Sequence, residues 1–505
     1  MEQAENQKIE ERKIKAKNWL RNKNNLLVLA VLLFAVSIRF YYFLLTKTQP
    51  LWWDELAYGS LAKNQVYHLW DSYGFIQHET LIRPPAFPFL WSLLVRVGFG
   101  EVGSRFILEF LPSILSVFFV YMAGKELYNR KVGIIASAIF SVLWVHLFYT
   151  LRFLTDIPTL PFLFLSIYYF IKSQKTDFNS KYFGISLFLL TLATAIRYPV
   201  GIVFLAYLIT LIATRKFYLL KNPKFWKSGI LGISPILLFF VYNLITAGNI
   251  FPALFGGTYL RPGEEAGKPI AWNVLNLIPI YLKTPFFILF LIGLAIMLFE
   301  LVLGFDVINK KTRLQSHLVV ILTIALILSF FIFFTRAAED RWLLQTSLSM
   351  AIIAALGLDY VHNIVKKYSK LVAFLGVAGI LLFGGYQQFV HADQLIKNKM
   401  GSYLQIRQGF EWVRDNLPKG TVILGEGLDP YAIYYAEWQT AQLPKEMSEI
   451  DESKVDYLVF HAFVEHPAYF GEYLQSNQDK WRPINAFFFD AQQTQPGFII
   501  YQKVS

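Results

Sequence analysis

Residues 26–45 read LLVLAVLLFAVSIRFYYFLL, twenty positions with a single charged side chain, Arg39. About 20 consecutive apolar residues form a helix long enough to cross the hydrocarbon core of a bilayer. Similar apolar runs recur along the chain, which predicts a series of membrane-spanning helices rather than one buried core helix. The eleven predicted spans lie near residues 25–46, 106–124, 132–150, 157–171, 182–196, 199–214, 228–246, 286–304, 318–335, 342–361 and 371–390.

The composition of the 505 residues agrees with this interpretation. Hydrophobic side chains make up 55% of the chain and charged ones 16%, whereas soluble domains are about a quarter charged. The 47 Phe, 28 Tyr and 12 Trp suit lipid-facing helices and aromatic belts at the membrane surface. The absence of cysteine excludes disulfides, thiolate catalysis and Cys-ligated metal centres. We therefore expect an α-helical polytopic membrane protein with about eleven transmembrane helices.

The net charge of +12 is unevenly distributed along the chain. Residues 391–505 carry 10 basic and 15 acidic side chains, a net charge of −5, and the preceding 390 residues carry +17. The basic excess lies in short connections between the apolar runs, as it does on the cytoplasmic side of membrane proteins. This pattern favours a membrane protein and argues against a nucleic-acid partner.

The same charges predict the topology. The basic segment 1–24 lacks a small-residue cleavage site and is expected to stay in the cytoplasm. With eleven spans in a transmembrane domain at 25–390, the five remaining basic connections all fall on the cytoplasmic side. The first long loop, 47–105, and the C-terminal segment 391–505 fall on the outer face of the plasma membrane.

Both outer segments are predicted to be folded. Residues 55–70 and 86–99 are rich in aromatic side chains with scattered polar positions, which is typical of amphipathic helices at a membrane surface. Residues 391–505 alternate helical stretches (near 402–416, 428–437 and 467–478) with short strand-like runs, which predicts a small extracytoplasmic α/β domain.

An acidic pair follows the first predicted span, in the sequence Trp52-Trp53-Asp54-Glu55. Ionised groups near hydrocarbon are costly, so two carboxylates at this position indicate a functional site. An alternative interpretation is an aromatic anchor followed by an acidic cap for a helix that begins near Leu56. Both interpretations stay open on the residues alone.

Two further constellations lie in predicted outer loops. Arg83 precedes Pro84-Pro85, and prolines that fix the chain would present its guanidinium for bidentate phosphate binding; an ordinary loop is the alternative. Arg152 and Asp156 lie in a short turn between spans, where they either form an ion pair with each other or belong to a site.

Other charged residues fall at the same predicted boundary, namely Arg197 and the run Glu339-Asp340-Arg341. Arg39 lies deeper, where it is either functional or extends its head group to the interface. Acids and arginines gathered at one face predict a site for a lipid-bound phosphate and for a polar group that must lose a proton.

These motifs, in this order, resemble the GT-C superfamily of glycosyltransferases. The acidic pair after the first span, the basic-Pro-Pro turn, the Arg-x-x-x-Asp-x-Pro turn and the Arg-aromatic-Leu-Leu start of a late helix are most similar to its protein O-mannosyltransferase and aminoarabinose-transferase branch. The resemblance covers residues 25–215 well and 330–360 more loosely. It implies a GT-C-like transmembrane domain and a polyprenyl-phosphate-linked sugar as donor.

The resemblance also implies roles for individual residues. Asp54 matches the catalytic acid of the first loop, with Glu55 as its neighbour, and Asp156 matches the second acidic residue. Arg83 matches the basic residue that contacts the lipid phosphate in aminoarabinose transferases. Arg341 matches the arginine that heads the late Arg-Tyr-Leu-Leu-Pro element and is assigned to the phosphate by its position at the outer boundary. Arg197 joins them by position, and Arg105 is assigned to this group because Phe110 replaces an arginine of the family pattern.

The resemblance does not extend to a metal site or to a particular acceptor. Ile82 stands where some relatives have a metal-ligating Glu, so no cofactor is assigned, although His78 and Glu79 keep a divalent metal open. Trp342 and Gln345 also depart from the late Arg-Tyr-Leu-Leu-Pro element. The acceptor hydroxyl belongs to a lipid, a glycan or a protein, and membrane lipids are the other expected partners.

The residues and the resemblance together predict a glycosyltransferase that uses Asp54 as general base. Inversion of the anomeric centre is what the resemblance implies. A transporter or lipid flippase would explain the apolar helices and basic connections equally well, although no related halves are visible in the sequence. A sugar-lipid binding protein without catalysis is the third alternative, and it requires Asp54 to be dispensable.

Overall fold

The computed structural model describes residues 22–175, 178–250, 270–334, 338–446, 449–450 and 455–504. The predicted cytoplasmic segment 1–24 therefore lies almost entirely outside the described residues. The chain divides into two compact units. The first, here called the membrane unit, takes the described residues of Met1–Lys47, Leu81–Phe87 and Gly103–Leu395. The second, the sheet unit, comprises those of Thr48–Thr80, Pro88–Val102 and Ile396–Ser505.

All eleven predicted spans coincide with helical segments. These helices are α1 (Lys23–Thr46), α6 (Leu111–Leu127), α7 (Arg130–Val142), α8 (Trp144–Tyr149), α9 (Asp156–Gln174), α10 (Ser180–Ile196), α11 (Val203–Ala213), α12 (Pro223–Ala247), α13 (Ile270–Gly304), α14 (Thr312–Phe334), α15 (Ser347–Lys366) and α16 (Lys370–Lys399). The loop after α1 adds α2 (Trp53–Tyr67), α3 (Gly74–Ile82), α4 (Ala86–Arg96) and α5 (Glu101–Arg105).

Seven helical stretches in the described part of the chain are long and apolar enough to cross a membrane. They include the stretch of α1 and the continuous helix from α5 through α6. Three further apolar helices have 10–17 residues, namely Ala86–Arg96, Ser180–Ile196 and Tyr198–Ala213. The chain is therefore a multi-pass α-helical membrane protein.

Several predicted helices are interrupted where the apolar pattern gives no sign of a break. The predicted span 132–150 is wrong as one helix, because Leu143 adopts ψ 119° and separates α7 from α8. Within α13, Lys283 has φ 54°, between Pro279 and Pro285, and marks a kink. The helix predicted to begin near Trp342 starts instead with a 3-10 turn, Asp340–Thr346.

Close helix packing in the membrane unit depends on glycine where α13 meets α15. A Cβ atom at Gly293 would lie 1.9 Å from the carbonyl oxygen of Ile353, and one at Gly357 would lie 2.1 Å from that of Leu289. Both distances are far below van der Waals contact, so these two backbones touch only because neither residue has a side chain. Small residues permit this approach in membrane helices generally.

The sheet unit contains a five-stranded sheet in the order β2-β1-β3-β5-β4. Its strands are β1 (Ile423–Leu424), β2 (Thr440–Ala441), β3 (Tyr457–His461), β4 (Trp481–Phe488) and β5 (Pro496–Lys503). Strand β1 pairs in parallel with β2 and β3, while β5 pairs antiparallel with β3 and β4. The helices α17 (Leu404–Asn416) and α19 (Ala468–Ser476) and the short turn α18 (Asp429–Tyr431) complete the unit.

The α/β character of the C-terminal segment is thus confirmed, and its core forms where strands and helices pack together. Leu424 and Leu458 pack with Phe470, Tyr473 and Trp481, and all five are buried. Strand β2 and helix α3 were not predicted, since neither has a distinct apolar period.

Candidate functional site

Asp156 is the first residue of α9 and is completely buried in the membrane unit. It ends a turn in which Leu151, Phe153 and Leu154 are also buried. A carboxylate at a helix N-terminus is stabilised by the unpaired backbone N–H groups there. The buried apolar side chains fix the conformation of the turn. The unpaired N–H groups at the start of α9 explain why an acid is favourable at residue 156.

The strongest partner of Asp156 comes from a distant part of the chain. Nη2 of Arg197, at the end of α10, lies 3.1 Å from Oδ1 of Asp156, and Nη1 donates to the hydroxyl of Thr155 over 3.1 Å. The amide of Gln345 donates to the same Oδ1 at 3.3 Å. Oδ2 of Asp156 has no hydrogen-bond partner among the described residues, so one oxygen of a buried carboxylate is left unsatisfied there.

Arg341 and its acidic neighbours lie on the 3-10 turn that also carries Gln345. Nε of Arg341 is 2.5 Å from Oε2 of Glu339. Asp340 accepts a hydrogen bond of 2.7 Å from the hydroxyl of Tyr149 at the end of α8. This turn is therefore fixed at two points, to Tyr149 and to Asp156.

Arg83 is attached to the same part of the membrane unit through its backbone. The hydroxyl of Tyr198, next to Arg197, donates to the carbonyl oxygen of Arg83 over 3.2 Å. Arg83 itself is half-buried and directly follows α3, ahead of the buried Pro84. The prolines and this hydrogen bond hold the backbone of Arg83 close to the residue that pairs with Asp156.

Arg105 is fully buried against the turn that precedes Asp156. Its Nη1 donates to the carbonyl oxygen of Leu151, and its guanidinium lies 4.7 Å from the centre of the Phe153 ring. A π-helical turn, Phe106–Phe110, follows it directly. Such turns are frequent at functional sites.

Arg39 does not reach the interface, because it is buried and bonded on four sides. It donates to the hydroxyl of Ser113, to the carbonyl oxygens of Ala35 and Ser141, and approaches Nδ1 of His146 at 2.7 Å. These contacts join α1, α6, α7 and α8. Of the two alternatives for Arg39, a head group that extends to the interface does not fit these buried contacts, which tie helices together.

The acidic pair of the sheet unit begins α2. Glu55 is completely buried, and its Oε2 accepts a 2.7 Å hydrogen bond from the backbone N–H of Trp52. This is the capping contact that one of the two sequence interpretations predicts, although the helix begins at Trp53 rather than near Leu56. Asp54 is half-buried on the first turn of the helix.

Aromatic residues far along the chain surround this turn. The Trp53 ring meets the rings of Phe75 and Tyr431 edge to face at 6.4 and 6.0 Å. The backbone N–H of Leu51 donates to the hydroxyl of Tyr435 at 2.9 Å. Burial, with a smaller contribution from the carboxylate of Glu55, raises the pKa of both Tyr431 and Tyr435. These phenols are therefore neutral at physiological pH.

The candidate metal ligands do not form a cluster. Nδ1 of His78 lies 3.4 Å from Oε1 of Glu79, which is buried in α3. Within the described ranges, no three His, Asp or Glu side chains converge in a way that could hold a metal ion. The described residues therefore add no ligand to His78 and Glu79, and metal dependence stays open.

Five of the predicted site residues share the membrane unit, namely Arg83, Arg105, Asp156, Arg197 and Arg341. The other four, Asp54, Glu55, His78 and Glu79, belong to the sheet unit. Sequence reasoning missed the roles of Tyr149, Tyr198 and Gln345, whose contacts link the first group. The sequence did offer a signal for Gln345, because a polar residue inside an apolar segment indicates a polar contact.

Comparison with known proteins identifies the class of enzyme. Residues 82–242 match the family model described as dolichyl-phosphate-mannose-protein mannosyltransferase. The match includes Arg83, Arg105, Asp156 and Arg197. A sequence search of curated proteins finds no match.

Solved structures share the fold at low sequence identity. ArnT from Cupriavidus metallidurans, bound to undecaprenyl phosphate, superposes with a TM-score of 0.63 at 11% identity, over 95% of this chain and 98% of that one. The apo oligosaccharyltransferase of Archaeoglobus fulgidus gives 0.62 at 13% identity, over 86% and 69%. The mycobacterial arabinofuranosyltransferase AftD gives 0.53 at 12%, over 94% and 41%.

The family match covers residues 82–242, and the solved structures extend the likeness of the fold over most of the chain. Together the comparisons indicate a glycosyltransferase: part of the chain matches a mannosyltransferase family, and the chain shares the fold of ArnT and of the archaeal oligosaccharyltransferase.

Proposed function

We propose that this glycosyltransferase moves a sugar from a polyprenyl-phosphate donor to an acceptor hydroxyl on the outer face of the cell membrane. The observation that carries the proposal is the buried Asp156, which has one oxygen paired with Arg197 and the other without a hydrogen-bond partner in the described part of the chain. A buried, half-satisfied carboxylate beside arginines is expensive and is typical of a functional site.

The arginines provide the positive charge that a phosphate leaving group requires. Arg83 and Arg341, with Arg105 and Arg197, are proposed to bind the donor phosphodiester and to stabilise the negative charge that develops as the phosphate leaves. Asp156 keeps Arg197 in place through their ion pair. The donor class is supported by two related folds, since ArnT was solved with undecaprenyl phosphate and the A. fulgidus enzyme AglB with dolichol-phosphate and an inhibitory peptide.

The transfer step is a single displacement. The acceptor oxygen forms a bond to the anomeric carbon while the bond from that carbon to the phosphate oxygen breaks, which inverts the configuration. Asp54 accepts the proton of the hydroxyl, and polyprenyl phosphate leaves with the electron pair. Glu55 is proposed to position Asp54, because its carboxylate caps the same helix turn.

The role of Asp54 is tested with the purified Asp54→Asn protein. The amide keeps the size of the side chain but cannot take a proton. Donor binding should persist, while transfer from a labelled polyprenyl-phosphate sugar should fall at least about 100-fold, since general-base catalysis contributes roughly 10²–10⁴-fold. Near-normal transfer would reduce the acidic pair to a helix cap and would refute this mechanism.

The role of Arg83 is tested by comparing two substitutions at that position. Arg83→Ala should weaken donor use far more than Arg83→Lys, because lysine keeps the charge but lacks the bidentate fork. Arg96 is a matched control, since it is exposed on α4 and donates only to the carbonyl oxygen of Gln65 at 2.9 Å among the described residues. Equal losses in Arg83→Ala and Arg96→Ala would show that the assignment is wrong.

A further inference from the structure

A cavity lies in the membrane unit, at the end of α9 opposite Asp156. It measures about 560 Å³, and its lining includes Tyr168 of that helix. Tyr168 follows Asp156 by twelve residues, which places it about 18 Å further along the helix at 1.5 Å per residue. The cavity is therefore separate from the candidate site of transfer.

The walls of this cavity combine apolar and basic side chains. Leu29 and Leu32 of α1 and Phe118 and Met122 of α6 form the apolar part. Beside it, α1 also exposes Leu33, 58% accessible, on a surface that would face lipid in a membrane. The apolar wall thus continues onto the outside of the helix bundle rather than closing around a soluble ligand.

The charged rim carries Lys125 and Arg130. Nη2 of Arg130 donates to the side-chain oxygen of Asn25, and its Nε is buried without a hydrogen-bond partner in the part of the chain that the structure describes. Lys125 is exposed and forms no ion pair among those residues. One tethered guanidinium with a spare donor and one free ammonium are well suited to an anionic oxygen.

The single acid in the wall is already neutralised. Glu126 lies 2.8 Å from Nζ of Lys175, which comes from just beyond α9. Lys172 donates to the hydroxyl of Tyr168 over 3.2 Å, which leaves that O–H able to donate into the cavity. Lys125 and Arg130 in the wall, with Lys172 and Lys175 bonded to wall residues beside it, outnumber this one acid and leave the rim positive.

We propose that this cavity binds an anionic glycerophospholipid of the surrounding bilayer. Its phosphodiester would lie on Arg130 and Lys125, and its acyl chains would follow Leu29 and Phe118 out to the lipid-facing surface. Basic pockets between transmembrane helices bind anionic head groups by this combination. The proposal depends only on the membrane character of the protein and is independent of the sugar donor.

The test measures lipid binding to the purified full-length protein by native mass spectrometry, with phosphatidylglycerol or phosphatidylcholine added to the detergent. Phosphatidylglycerol should bind at least about fivefold more tightly. The Lys125→Gln variant should lose about fivefold in affinity, the equivalent of about 1 kcal/mol for one basic side chain at the membrane surface. Adding Arg130→Gln should weaken binding further.

A control variant separates a built site from general attraction to basic loops. Lys310→Gln combined with Lys311→Gln removes two exposed charges outside the cavity and should leave the affinity within about twofold. Equal loss in the control, or no preference for phosphatidylglycerol, would overturn the proposal. Inorganic phosphate that protects the protein from thermal unfolding as well as the lipid does would instead identify a site for a free anion.

Arg130 also holds Asn25, so its substitution can impair folding. Lys125→Gln alone then decides the outcome, because this exposed side chain makes no ion pair in the described ranges. An unchanged affinity for phosphatidylglycerol in Lys125→Gln would refute the site, whereas the expected loss in a protein of normal thermal stability would support it.

Discussion

The ion pair between Asp156 and Arg197 predicts a specific pattern in a double-mutant cycle. The side chain of Asp156 is 0% exposed and that of Arg197 is 12% exposed. Removal of one partner of a buried pair leaves the other charge uncompensated, which costs roughly 3–5 kcal/mol of stability. Asp156→Asn and Arg197→Gln are each expected to lose this amount, because each removes a charge and keeps most of the side chain.

The expected change is large enough for a thermal assay of the purified protein. An unfolding entropy of about 2.1 cal/mol/K per residue corresponds to about 1 kcal/mol/K for this chain, so each single variant should unfold about 3–5 °C earlier. The double variant leaves no stranded charge and should lose less than the sum, with a coupling energy of about 1–3 kcal/mol. Additive losses would refute the pairing.

A matched cycle on an exposed pair provides the control. Arg414 and Asp415 are joined at 2.9 Å, and their side chains are 49% and 60% exposed. Their coupling energy should stay below about 1 kcal/mol. Similar coupling in both cycles would show that burial does not strengthen the pair of Asp156.

Transfer activity in the same variants then separates structure from chemistry. Because Arg197 is itself proposed to bind the donor phosphate, the double variant is compared with Arg197→Gln at temperatures where both are fully folded. If Asp156 takes part in transfer, adding Asp156→Asn should lower turnover further. If Asp156 only neutralises Arg197, the two variants should have equal turnover, which would remove Asp156 from the catalytic group and leave it as a structural residue.

Three further predictions address the sheet unit and the topology. Glu55→Gln should reduce turnover less than the loss of Asp54 does, since Gln can still accept from the backbone N–H of Trp52, and an equal loss would make Glu55 the base. His461 is buried, and burial lowers its pKa to about 4. In the unfolded state its pKa is about 6.5, so the unfolded chain binds the proton more tightly. The free energy of unfolding should therefore be at its full value above pH 6.5 and should fall by about 2–3 kcal/mol at pH 4.5. Thermal unfolding at the two pH values measures this loss, and His461→Gln should remove most of the dependence; a wild-type midpoint that does not change would contradict it. A single cysteine at the exposed position Ser476 should react with an impermeant reagent added outside the cell. A single cysteine at the exposed position Lys310 should react only from the inside. The opposite result would reverse the proposed orientation.

The helical segments were predictable because the bilayer imposes a minimum length and hydrophobicity on each one. The interruptions within these helices were not predictable, because a helix can break without a visible change in the composition of the apolar run. Leu143 separates two helices within one apolar run that has no Pro or Gly at the break. The kink at Lys283 did carry a signal, namely Pro279 and Pro285 on either side of it, but the predicted span began only at residue 286.

The candidate site was predictable in its residue types and less so in its pairings. Arg152 and Asp156, four residues apart, read naturally as a local pair, yet Asp156 bonds Arg197, 41 residues further on. Such contacts depend on how α9 and α10 pack, which a single sequence does not reveal. The cap formed by Glu55 was accessible to sequence reasoning, because it involves only residues 52–55.

The direction of α9 explains why an acid begins this helix and lysines end it. A helix N-terminus favours an anion and a C-terminus favours cations. Asp156 begins the helix, while Lys172 occupies its last turn and Lys175 follows it. The helix therefore stabilises the acid that pairs with Arg197 at one end and the two lysines beside the cavity at the other. Since Asp156 serves its own helix as well as Arg197, its loss has a structural component, and only the comparison of the double variant with Arg197→Gln isolates its share in transfer.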